Sequence, residues 1–138
     1  MTVVTKHIEV EVRAEEMVDI TGEVKREVKD SKVRNGIVTI FVPGSTGVVS
    51  TMEYEPGLLK DIPRALERIA PSNIDYEHHK TWHDDNGRSH VRATLMGPSL
   101  VVPFVDGNPV LGTWQQIVFM NLDTSHRRRK VVLQILGE

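Results

Sequence analysis

The chain has 138 residues, which is enough for one domain with a single buried core. Its 39% hydrophobic and 26% charged residues are ordinary for a globular protein, and its net charge of −2 gives no overall attraction to nucleic acid or anionic membranes. Cysteine is absent, which excludes disulfides, thiol nucleophiles and thiolate metal sites. No segment approaches the roughly 20 apolar residues of a membrane span, and the N-terminus lacks a signal-peptide pattern. We therefore expect a cytoplasmic protein with neither a membrane nor nucleic acid as partner.

Two periodic segments open the chain. Apolar and polar side chains alternate over Thr5–Arg13, which predicts a half-buried strand. The four-residue spacing of Ile20, Val24 and Val28 predicts a helix over about Asp19–Ser31.

The middle of the chain predicts two strands and a second helix. The Asn35-Gly36 turn introduces a strand over Ile37–Val42, and Val48-Val49 indicate another short strand. Helical apolar spacing then runs over Leu58–Ile69. Because Pro63 removes a backbone donor, either this helix bends there or its main part begins near that residue.

The last fifty residues predict an antiparallel meander. Its four strands are expected at His90–Met96, Leu100–Val105, Gly112–Leu122 and Lys130–Leu136. The predicted fold is therefore α+β, a single domain over residues 1–138 with antiparallel β-sheets and two main helices. The helices would cover one side of a sheet, and a second sheet or a neighbouring subunit would cover the rest.

The densest polar cluster, Tyr76–His90, holds four of the six histidines. Imidazole and carboxylate groups can transfer protons or bind a divalent metal ion. The candidate catalytic residues are His78, Asp84, Asn86 and His90. Three of them, His78, Asp84 and His90, are also the candidate metal ligands. The spacing matches no compact zinc signature, and a solvated, histidine-rich loop is the alternative.

Two further segments could bind a phosphorylated metabolite. The turn after the strand predicted at Ile37–Val42 carries Ser45 and Thr46, whose small side chains leave backbone N–H groups accessible to an anion. On a strand, Arg127 and Arg129 share a face and could offer two guanidinium groups to a phosphate. The alternatives are a plain turn and a charged edge that prevents strand-to-strand aggregation.

The segment around Trp114 and Gln115 suits the wall of a polar pocket or a subunit contact, although core packing would also explain the indole ring. Glu53 and Asp61 are either site carboxylates or charges that stabilise the start of a helix.

An ordered series of motifs from Gly36 onward resembles the YjbQ-like family. The series is Tyr76-x-His78-x-x-x-Trp82-x-Asp84-x-Asn86-x-x-x-His90, Ala93-x-Leu95-x-Gly97-x-Ser99, Pro103, Gly107, Leu111-Gly112-Thr113-Trp114-Gln115 and Gly137. The resemblance implies an α+β fold, a homotrimer and a polar pocket near the subunit boundaries.

The same resemblance implies a weak, secondary thiamine-phosphate synthase. That reaction joins a hydroxymethylpyrimidine diphosphate to a thiazole phosphate and expels diphosphate. Family members usually carry His-Thr-Thr-Ala where this chain has Gly44-Ser45-Thr46-Gly47, so the role of that histidine does not transfer. Glu53 and Asp61 lie where the family has acidic residues. Two alternatives remain: a metal-assisted hydrolase of a phosphorylated metabolite, and a non-catalytic trimer that binds one.

Overall fold

Eight strands and four helices make up the computed structural model, which describes residues 1–138. The strands are β1 (Thr2–Val12), β2 (Met17–Asp19), β3 (Gly36–Phe41), β4 (Gly47–Met52), β5 (Ser99–Val105), β6 (Asn108–Pro109), β7 (Gln116–Asn121) and β8 (Arg127–Gly137). The helices are α1 (Thr21–Asp30), α2 (Leu58–Ile69), α3 (Glu77–Trp82) and α4 (Gly87–Met96). One sheet has the order β1-β8-β3-β5-β6 and the other β2-β7-β4, and every pairing is antiparallel.

The main core lies on the inner face of the five-stranded sheet. Alternation sends Val38 and Ile40 of β3, and Leu133 and Ile135 of β8, into this core, where each is fully buried. Helix α1 adds its buried valines, and the inner side of β7 closes the cluster with Phe119.

Strand β7 is buried on both faces. Ile117 and Phe119 face the main core, whereas Val118 and Met120 join a second cluster with Leu66 of α2 and with α4. This position between two apolar layers explains why the strand is a continuous apolar run without alternation.

The α+β class and the antiparallel sheets are confirmed, and several predicted elements are found. The first predicted strand is β1, the strand predicted at Ile37–Val42 is β3, the one indicated by Val48-Val49 is β4, and the two predicted helices are α1 and α2. Pro63 lies inside α2, which continues through it. None of the four helices has the length and apolar character needed to cross a bilayer.

Other element predictions were wrong. There are four helices rather than two main ones, and the segment predicted as a strand at His90–Met96 belongs to α4. The polar cluster that was expected to be a loop holds α3 and the start of α4. The last strands form no meander, because β7 pairs in the three-stranded sheet while β5 and β8 pair with β3.

Candidate functional site

A wholly polar cleft of about 410 Å³ opens where three parts of the chain meet. These are the turn between β3 and β4, the first half of α4, and the turn that leads from β7 into β8. The cleft is lined by Gly44, Ser45, Thr46, Asn86, His90, Asp123, Arg127, Arg128 and Arg129. A cleft with this lining suits a small anionic ligand.

Asp123 lies at the centre of the cleft and is 3% exposed. Its Oδ2 accepts a hydrogen bond from Arg127 Nε at 3.0 Å and lies 2.9 Å from Arg127 Nη2. Burial alone would raise the pKa of Asp123, but hydrogen bonds from the Thr124 N–H and Arg127 outweigh it and hold that pKa below its usual value. Asp123 is therefore an ionised carboxylate that fixes the guanidinium of Arg127.

Arg129 is the more buried of the two arginines in this network. Its Nη2 donates to Thr46 Oγ1 at 2.6 Å and to Asn121 Oδ1 at 3.0 Å, and it lies 3.8 Å from Asp123 Oδ2. Its Nε is buried without a hydrogen-bond partner. Burial lowers the pKa of Arg129, although Asp123 offsets part of that effect, and a guanidinium stays protonated in proteins.

Thr46 holds this network together rather than facing a ligand. Its hydroxyl accepts from Arg129 and donates to Asp123 Oδ2 at 3.2 Å, so both functions of the group are in use. Gly44, in the same turn, has a φ of +122°, and a Cβ there would lie 3.3 Å from Arg129 Nη1. Glycine thus suits both the backbone conformation and the approach of the guanidinium.

The structure places His78 of α3 and His90 of α4 side by side, with ring centroids 4.3 Å apart and planes inclined by 45°. His90 lines the cleft, and His78 lies behind it, where its Nε2 is 3.4 Å from Asp84 Oδ1. The two imidazoles and the carboxylate therefore lie close together in one group.

His90 is biased towards its neutral form. Burial lowers the pKa of its imidazole, and the neighbouring His78 lowers it further, while Asp123 and Asp84 partly oppose both effects. A neutral imidazole can accept a proton or donate a hydrogen bond to a ligand in the cleft.

The Asn86 amide sits between two carboxylates at the start of α4. In one orientation its Nδ2 donates to Asp123 Oδ1 at 3.4 Å. In the reversed orientation Nδ2 donates to Asp84 Oδ1 at 2.8 Å and to His78 Nε2 at 3.1 Å. The reversed orientation makes the shorter bonds and joins Asn86 to the histidine pair.

No group of three or more His, Asp or Glu side chains is arranged to hold a metal ion. Asp84 contacts only one of the two histidines, and the Asn86 amide competes for the same imidazole nitrogen. The metal centre at His78, His90 and Asp84 therefore stays a prediction.

Three residues predicted to bind substrate lie away from the cleft. Glu53, Trp114 and Gln115 border a separate cavity of about 390 Å³ at the other end of β4. Since β4 has six residues, the two cavities are separated by roughly 17 Å of extended strand. The Gln115 amide is bonded to Thr51 Oγ1 and to the Gly112 N–H, while Trp114 is 71% exposed.

Sequence reasoning missed Asp123 and Asn121, which organise both arginines. Asn121 was predicted at the end of the strand Gly112–Leu122, and Asp123 in the turn that follows it. The signal was that a fully buried strand ends in Asn-Leu-Asp, because polar side chains that close a buried strand need partners.

The chain matches known proteins over nearly its whole length. Residues 6–138 match the family model "UPF0047 protein YjbQ-like". A UPF0047 protein of Archaeoglobus fulgidus is 39% identical over 85% of this chain and 89% of its own length. One of Methanothermobacter thermautotrophicus is 39% identical over 91% of this chain and 86% of its own length.

Solved structures agree with these sequence matches. A YbjQ-like protein of unknown function from Sulfolobus solfataricus has a TM-score of 0.88 and 34% identity, with 99% of this chain and 100% of that one covered. A hypothetical protein from Aeropyrum pernix has a TM-score of 0.85 and 32% identity, with 96% and 99% covered. Sequence, family model and fold together establish that the chain belongs to the YjbQ-like UPF0047 family.

Proposed function

We propose that the polar cleft binds the diphosphate of a small metabolite and that the chain is a thiamine-phosphate synthase-like transferase. The observation that supports this best is the Asp123 network, which holds Arg127 and Arg129 at one end of a cleft without apolar lining. Guanidinium groups bind phosphate oxygens through paired, charge-assisted hydrogen bonds.

In the proposed reaction, the bond between the pyrimidine methylene carbon and a diphosphate oxygen breaks. Diphosphate leaves with the bonding electron pair, and the lone pair of the thiazole nitrogen forms the new carbon–nitrogen bond. The main physical requirement is to stabilise negative charge on the leaving group. Arg127 suits this role because its side chain is 50% exposed towards solvent while Asp123 fixes its position.

His90 would act beside the leaving group. Because burial lowers the pKa of His90, its neutral ring can donate an N–H hydrogen bond to a phosphate oxygen or receive a proton from the substrate. His78, Asp84 and Asn86 would orient that ring from behind.

An Arg127→Gln variant tests the proposal. We expect the Kd for inorganic diphosphate, measured by calorimetry, to rise about tenfold or more, because a hydrogen bond to a charged group contributes about 1.5–3 kcal/mol. Formation of thiamine phosphate from the two substrates should fall in parallel. Lys130→Gln is the control, since Lys130 is exposed on the same strand outside the cleft.

The outcomes separate the two candidate functions. Diphosphate binding with product formation supports the synthase. Diphosphate binding without any product supports the non-catalytic metabolite-binding protein, a candidate favoured by the glycine at position 44 where the family usually has histidine. A native chain that does not bind diphosphate contradicts both.

We also propose that the chain assembles as a homotrimer through the outer face of the five-stranded sheet. Five apolar side chains are exposed there: Val3, Ile37, Phe41, Val101 and Val105. Exposed apolar side chains that share one face of a sheet are candidates for a subunit contact.

A further inference from the structure

A second chamber adjoins the polar cleft and differs from it in having no charged side chain. It has a volume of about 300 Å³ and is bordered by Gly44, Ser45, Gly47, Ala93, Thr94 and Pro98. None of these side chains is charged, and none is larger than proline or threonine. Gly44 and Ser45 border both spaces, so the chamber and the cleft meet at the turn between β3 and β4.

One face of α4 lines both spaces. His90 faces the cleft, and Ala93 and Thr94 follow at three and four residues, which places them on the same face about one helical turn further on. The groove between α4 and the turn therefore runs from the arginines towards Pro98. The charged side chains of this groove lie only at the end formed by the cleft.

The opposite wall of the groove contains Gly44 and Gly47, which have no side chains to fill the chamber. A Cβ at Gly47 would lie 2.9 Å from Val42 and 3.3 Å from the Phe119 ring, so the packing beneath the turn admits no side chain at this position. Packing against the core thus requires glycine at this position of the turn.

We propose that this second chamber binds the organic part of the ligand, which makes the preferred substrate a phosphate or diphosphate ester with an uncharged, compact ring. The inference rests on the proposed function, because the arginine end of the groove must bind the phosphate. The chamber offers no ion-pair partner to a charged ring, and its small side chains leave room for a flat one. The Thr94 hydroxyl donates to the His90 carbonyl at 2.8 Å, so it remains an acceptor for a ring donor.

Two probes of equal charge test the chamber: methyl phosphate and phenyl phosphate, each titrated calorimetrically into the native chain. Native protein should bind phenyl phosphate about tenfold more tightly. In Thr94→Trp, which fills the chamber, the two Kd values should agree within about twofold while the Kd for methyl phosphate stays unchanged. Leu95→Trp is the matched control, because Leu95 is 64% exposed outside the groove, and it should keep the native ratio.

The results distinguish the two proposals. If the native chain binds both probes equally, or if Thr94→Trp keeps the preference for phenyl phosphate, the chamber does not bind the ring. If neither probe binds the native chain, the proposed phosphate site in the cleft is wrong, and the chamber proposal fails with it.

Discussion

At the scale of single residues, the cleft combines an ionised carboxylate with a neutral imidazole. Asp123 stays ionised because hydrogen bonds to its oxygens outweigh burial, whereas His90 is shifted towards neutrality mainly by burial. An ionised group and a neutral group therefore persist within one small site, because hydrogen bonds dominate at Asp123 and burial dominates at His90.

The partly buried position of His90 predicts a pH dependence of stability. Its pKa is lower in the folded chain than the unperturbed value of 6.5, so the unfolded chain binds more protons as pH falls. This contribution is fully present above the unfolded pKa and is lost as pH falls through the folded pKa. The free energy of unfolding, measured by urea denaturation at about pH 7.5 and about pH 5, should therefore drop less in His90→Asn than in the native chain.

His83→Asn is the control for this measurement. His83 is exposed at the end of α3 with a φ of +59°, a conformation that asparagine tolerates well. It should keep the native pH dependence. Equal drops in the His90→Asn and native chains would show that burial of this imidazole does not contribute to stability.

At the scale of elements, α4 shows why part of the fold escaped prediction. Val91, Ala93 and Leu95 alternate with polar residues, which is a strand pattern, yet Val91 and Leu95 are exposed. The true buried face includes Ser89 and Arg92, so the helical period is carried by polar side chains. Hydrophobic periodicity cannot reveal such a face, because Arg92 is buried only through partners that are distant in sequence.

Elements with apolar periodicity were predictable, including α1, α2, β1 and β3. The candidate site was partly predictable, but from residue type rather than from apolar periodicity. The two histidines and the two arginines stood out by residue type, whereas Asp123 functions only through contacts made after folding. Trp114 and Gln115 were grouped with them because the linear sequence does not show that β4 separates the two cavities.

The contacts of Arg92 give a prediction for α4. Its side chain is 5% exposed, and it donates to the Ala70 carbonyl from Nη2 at 2.8 Å and to Glu67 Oε2 at 2.9 Å. Arg92→Met should lower the free energy of unfolding by about 1–3 kcal/mol, because the buried Ala70 carbonyl loses its donors. Urea denaturation measures this change.

Arg88→Met provides the comparison on the same helix. Arg88 contacts Glu15 at 3.4 Å and has a buried Nε without a partner, so its removal should cost less than about 1 kcal/mol. A loss as large as that of Arg92→Met would contradict the assigned role of the Ala70 contact.

At the scale of the whole molecule, the outer face of the five-stranded sheet remains uncovered in one chain. Val101 and Val105 are each more than half exposed, and Phe41 lies on the same surface, four residues from Ile37 along β3. The second sheet and the helices all lie on the other side, as the main core cluster shows. A neighbouring copy is the simplest cover for this surface.

Val101→Lys tests the homotrimer. Light scattering of the native chain should give a mass three times that of the 15.6 kDa chain, and the variant should shift towards the single-chain mass because a buried lysine is costly. Leu95→Lys replaces an equally exposed apolar residue on α4 and should leave the trimer intact. A native chain that measures as a monomer would rule out this assembly.

The position of β7 links stability to ligand binding. The strand packs against both hydrophobic layers. It ends at Asn121, which bonds Arg129, and Asp123 follows two residues later and bonds Arg127. Local unfolding of either layer would therefore displace Asn121 and Asp123 from the cleft. Occupancy of the cleft thus reports on the integrity of the entire chain, and a ligand bound there would slow opening everywhere rather than only around itself.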